Sequence, residues 1–83
     1  MPLTLNYVVE VLSMTYTFDV IRDLGEIGNK GKSLKIIKWG DNQPKFDFRT
    51  WRKDEGGNLL PGKGITFTKE EGRELAQLLA GYL

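Results

Sequence analysis

Apolar and polar residues alternate with period 2 through most of this chain, and a helical period replaces that alternation only near its end. Over residues 15–23, Tyr16, Phe18, Val20 and Arg22 fall on one side and Thr17, Asp19, Ile21 and Asp23 on the other, which predicts a strand with one buried face. Residues 33–39 repeat the pattern, with Leu34 and Ile36 opposed to Lys35, Ile37 and Trp39. After Pro44, Phe46 and Phe48 point one way, while Lys45, Asp47, Arg49 and Trp51 point the other. A last strand, Gly64-Ile65-Thr66-Phe67, is entered through Pro61-Gly62-Lys63. The segments between these runs carry turn chemistry: Gly25, Gly28, Asn29 and Gly31; then Gly40-Asp41-Asn42; then Asp54 to Gly57. Residues 1–13 place Leu3, Leu5, Tyr7, Val9 and Val11 on one face and predict an extra N-terminal strand. Val8 and Leu12 blur that pattern, and Met14 is an equally good start for the domain proper.

Past Phe67 the spacing becomes helical. Thr68 and Glu71 form a capping-box pattern in which hydroxyl and carboxylate each satisfy an orphaned backbone N–H. Glu70 and Glu71 also suit the positive end of the helix dipole. Leu75, Ala76, Leu78, Leu79 and Tyr82 make the apolar stripe, and Gly81 is placed to stop the helix. The predicted architecture is α+β: four strands followed by one C-terminal helix over residues 15–83, preceded by an extension at residues 1–14.

At 83 residues the chain forms one small domain. A domain of this size buries only about 60% of its unfolded surface. With no cysteine and no histidine it has neither disulfides nor the commonest metal ligand, so oligomerisation is the remaining stabilising device. No secretory signal or long apolar run is present, and a cytoplasmic protein without a membrane partner is expected. The net charge of +1 conceals an uneven distribution. Residues 30–53 hold eight basic side chains against Asp41 and Asp47, whereas the remainder holds four basic and nine acidic. Asymmetry of this kind suits an anionic partner; lysines that merely protect strand edges are the plainer explanation.

Catalysis is not expected. Nucleophile–base pairs lack a histidine, and the adjacent carboxylates Asp54-Glu55 and Glu70-Glu71 sit on a turn and a helix start, where they solubilise or cap. Gly62-Lys63-Gly64 lacks the spacing of a phosphate-binding loop, and nothing suggests a metal or other cofactor.

The outer face of the middle strands suits single-stranded nucleic acid. Aromatic side chains beside a row of cations stack bases and follow a phosphate backbone with little sequence preference. Trp39 and Trp51 are the candidate stacking residues; Lys35, Lys38, Lys45, Arg49, Arg52 and Lys63 are the candidate phosphate contacts. Each has a plainer reading: Trp51 can cover core or a dimer seam, Trp39 can close a turn, and Arg49 can pair with Asp47 two residues away. Tyr16 and Phe18 read as core.

The strand Phe46-Asp47-Phe48-Arg49-Thr50-Trp51, followed by Asp54, Gly57 and Pro61-Gly62-Lys63-Gly64-Ile65-Thr66-Phe67 before an acidic-capped helix, resembles the C-terminal domain of the transcriptional coactivator positive cofactor four, its small bacterial members above all. The likeness spans about residues 35–79. It implies a curved four-stranded antiparallel sheet followed by one helix, paired as a homodimer. It also implies binding of single-stranded or melted DNA in sheet-lined channels, with neither catalysis nor cofactor, in the company of transcription or replication machinery. Arg49 and Lys63 match the family's strand arginine and turn lysine. Trp51 is followed by Arg52 where two adjacent aromatics are common, and Gly72 replaces a large apolar anchor on the helix. RNA is an alternative ligand for the same face, and a protein-interaction module or a dimer seam is an alternative use of it.

Overall fold

Consecutive strands pair with one another in the computed structural model of this protein, which describes residues 5–11 and 14–83, with side chains from Thr17 onward. The elements are β1 (Leu5–Val11), β2 (Met14–Glu26), β3 (Lys32–Trp39), β4 (Lys45–Lys53), β5 (Leu59–Phe67) and α1 (Lys69–Ala80). They form one open antiparallel sheet in the order β1-β2-β3-β4-β5, so the four strands and C-terminal helix are joined by an N-terminal fifth strand. That extra strand forms at Leu5–Val11; the parts of its prediction at residues 1–4 and 12–13 lie outside the described residues.

Two strands are longer than the alternation suggests. β2 continues through Gly25, expected in the following loop, because a register shift between Asp23 and Gly25 is absorbed at a positive φ of 137°. β5 starts at Leu59, so Pro61-Gly62-Lys63 lies within a strand instead of leading into one. The turn before it is closed by Asp54, whose carboxylate accepts from the Asn58 backbone N–H (2.9 Å) and side-chain amide (3.1 Å). These bonds, the backbone one foremost, hold the Asp54 carboxyl below its ordinary range. Pro61 is tolerated because β5 is an edge strand. Opposite the register shift between Arg49 and Trp51, β4 and β5 approach closely: a Cβ on Gly62 would stand 2.8 Å from the Thr50 carbonyl, and one on Gly64 would overlap Arg49 and the Phe48 carbonyl. The Gly-Lys-Gly spacing is therefore a packing requirement of the ladder.

The sheet's two faces are closed to different degrees. On one, Phe18, Val20, Ile37 and Trp51 are buried, with Trp39 and Leu59 packed around them. Phe18 and Trp51 sit on strands separated by β3, about 9.6 Å apart in a flat sheet, yet their ring centroids are 5.5 Å apart. Bending toward this face, with side chains leaning inward, brings them together. The alternation placed the buried aromatics on the opposite face, with Phe46 and Phe48, but both are only half-buried. There α1 lies against Phe67 and Phe46, which stack at 5.6 Å, and Gly72 meets the Phe67 ring. The helix has no fully buried residue, and Leu75, Leu78 and Leu79 remain exposed.

The helix start forms as predicted. Thr68 Oγ1 accepts from the Glu71 N–H at 3.1 Å, and Glu71 accepts from the Thr68 N–H at 2.8 Å. The second bond, with further help from the Thr68 side chain, holds the Glu71 carboxyl below its ordinary range. Because the folded-state value is the depressed one, this contribution is complete above the unfolded chain's value and disappears as pH falls through the folded one. Thr68→Ala is expected to cost about 1 kcal/mol in a urea titration. Glu71→Gln, which caps without titrating, should flatten the acid-side loss of helical circular dichroism.

Candidate nucleic-acid interface

Period-2 spacing puts Asp47 and Arg49 on one face of β4, and the register brings Trp39, at the end of β3, beside them. Asp47 is completely buried and accepts three hydrogen bonds: Arg49 Nε at 2.6 Å, Arg49 Nη2 at 2.7 Å and Trp39 Nε1 at 3.1 Å. The guanidinium lies 5.1 Å from the centroid of the Trp39 ring, and its Nη1 donates to the Gly62 carbonyl at 3.1 Å. One carboxylate thus ties β3 to β4, and its arginine partner extends the link to β5. A buried charge is tolerated because it is paired bidentately and accepts a third hydrogen bond from Trp39.

A second cation sits over the other indole. Lys35, only 5% exposed, donates to Asp23 of β2 at 2.8 Å and stands 5.6 Å from the Trp51 ring centroid. Asp23 itself is largely solvated, which screens this pair. Trp51 is 7% exposed, and its Nε1–H is buried without a partner among the described residues. An unsatisfied donor of this kind costs roughly 1–3 kcal/mol.

The remaining predicted residues are distributed around this face. Lys63 is exposed and shares a depression of about 210 Å³ with Lys32, Arg49 and Thr50. Arg52 is exposed and borders, with Lys35 and Trp51, a larger hollow of about 510 Å³. Lys38 donates to the Gly40 carbonyl at 2.6 Å, and Lys45 lies near enough to α1 for its charge to act on Glu71. The structure therefore joins Trp39 to Arg49 and Trp51 to Lys35, sets Lys63 and Arg52 beside those two pairs, and leaves Lys38 and Lys45 toward other edges. Both tryptophans were expected in the open. In the single chain Trp39 is half-buried and Trp51 buried, because the bend draws β4 over β2. Asp23, Lys32 and Lys53 were missed as site residues. Asp23 meets Lys35 across a ladder whose register shifts on either side, so strict alternation does not pair them. Among the described residues no group of three or more His, Cys, Asp or Glu side chains is placed to hold a metal ion.

The strand carrying Asp47, Arg49 and Trp51, the close glycine approach of β5 and the capped helix lie in one contiguous segment. The model of the transcriptional coactivator p15 (PC4) family matches residues 26–78. The chain belongs to that family. No curated protein and no solved structure matches it. PC4 proteins are nucleic-acid-binding and non-enzymatic. The PC4 match takes in the whole of β3, β4 and β5 and most of α1; β1 and nearly all of β2 precede it, including the Asp23 that holds Lys35.

Asp47→Asn leaves the part-buried Arg49 guanidinium without its counter-charge, and breaking such a pair costs up to about 3–5 kcal/mol. That is a large fraction of a small domain's stability, so the variant is expected to lose most of its folded population in a guanidinium titration followed by near-ultraviolet circular dichroism.

Proposed function

We propose that the protein is a homodimeric single-stranded-DNA-binding protein of the transcription, replication or repair machinery, acting without a catalytic step. The strand crosses the sheet face opposite α1. The observation that carries this reading is the pairing of a cation with each indole on a face the helix leaves uncovered: Arg49 with Trp39, and Lys35 with Trp51. The half-buried Trp39–Arg49 pair supplies stacking surface beside a cation, with Lys35 and Trp51 buried in the same face, and membership of the PC4 family supports the same ligand.

The ion pairs refine the expected energetics. Arg49 and Lys35 are already neutralised by Asp47 and Asp23, so they orient the strand more than they release counterions. The exposed or half-exposed Lys38, Lys45, Arg52 and Lys63 remain for phosphates. At about −0.7 per contact for single strands, four contacts give a log–log salt slope of roughly −3. Titration of oligo-dT at several salt concentrations is expected to give that slope with quenching of tryptophan emission. Trp39→Ala should weaken binding roughly tenfold, the worth of one stacked base. Binding that ignores both salt and Trp39 would refute the reading.

A second copy of the chain covers the opposite face. Leu34, Phe46, Phe67, Leu75 and Leu79 line an apolar hollow of about 370 Å³ above Gly72, and exposed Leu78 continues it. A domain this small gains most from closing such a surface. Leu79→Glu is therefore expected to halve the mass measured by light scattering.

A further inference from the structure

The hollow of about 510 Å³ at the start of β3 has both hydrogen-bond polarities on its border. Its size is that of a small-molecule site, roughly 300–1,000 Å³. Its inner donors are Trp51, whose Nε1–H has no partner among the described residues, and Lys35, which spends one of its three hydrogens on Asp23; Arg52 and Lys53 are exposed on the same border. Acceptors are Asp23 and Glu26. Glu26 uses Oε1 to accept from the Gly31 N–H at 3.2 Å, and no bond to its Oε2 is seen among the described residues. A buried indole N–H left unpaired beside a cavity calls for an acceptor from outside the chain.

We infer that this hollow receives a single guanine base of the bound strand. Guanine alone among the bases presents two adjacent acceptors, O6 and N7, next to two adjacent donors, N1–H and the 2-amino group. The acceptors face Lys35 and Trp51; the donors face Glu26 and Asp23. Nε1 is itself buried, so entry of the base requires Lys35, whose Nζ stands 5.6 Å from the ring centroid, to shift aside. The inference rests on the strand-binding reading above and adds a point of base preference to it: most of the strand is held through stacking and phosphate, and one position is read.

The test compares wild-type protein on an all-thymine 12-mer with the same strand carrying one central guanine, adenine, cytosine or hypoxanthine. Guanine is expected to bind roughly tenfold more tightly than thymine, within the range of one good bidentate base contact. Hypoxanthine, which lacks the 2-amino group, should recover only part of the gain, and adenine and cytosine none. In Trp51→Phe, which keeps a ring and deletes the N–H, the guanine-to-thymine affinity ratio should fall to about one, whatever the affinity for thymine becomes. Equal binding of all five strands by the wild type, with oligo-dT still bound, would overturn the guanine pocket and leave strand binding intact. Failure to bind any strand would overturn both.

Discussion

A single buried carboxylate organises the face on which this protein's chemistry is gathered. Asp47 fixes the orientation of Arg49 and of Trp39 at once, and Arg49 in turn holds the Gly62 carbonyl, so three successive strands share one charge-assisted network. A carboxylate with no exposed surface is stable only when fully satisfied, which makes the network all-or-none. The indole of Trp39 is consequently fixed in place, held by a bond from its nitrogen to Asp47 and flanked by the Arg49 guanidinium.

The bend of the sheet is the other half of that arrangement. It places rings from β2 and β4 in contact across β3, giving the domain a compact aromatic nucleus on the face away from its helix. The helix does less than helices in small α+β domains commonly do. It is well capped at its start, yet Gly72 offers Phe67 only a backbone surface and the leucines beyond it stay wet. Burial is thus concentrated on one side of the sheet, and the other side keeps apolar surface open to solvent.

Much of this was legible in the residues. Period-2 runs located β2 to β4, and the switch to helical spacing with Thr68 and Glu71 located α1, because local sterics and capping decide these elements. The Asp47–Arg49 pair was visible as a same-face neighbour. The burial of Trp51 was not, since it depends on how far the sheet curls, a property of several strands together. Asp23 was hidden for a related reason: register shifts on either side of it break the alternation that would have aligned it with Lys35. Gly62 looked like a residue leading into the strand because glycine marks turns and tight interstrand contacts equally well.

The loop between β2 and β3 has a backbone anchor of its own. Beyond the last paired residues, Trp51 donates its N–H to the Gly31 carbonyl at 2.8 Å, and at a φ of 82° a side chain on Gly31 would run into the Trp51 carbonyl. The final residue of the loop is thereby moored to the strand that carries the buried indole, while Gly28, Asn29 and Lys30 at its tip are exposed. Changes at that tip, which does not line the hollow, leave the bond between Gly31 and Trp51 at the hollow's border in place.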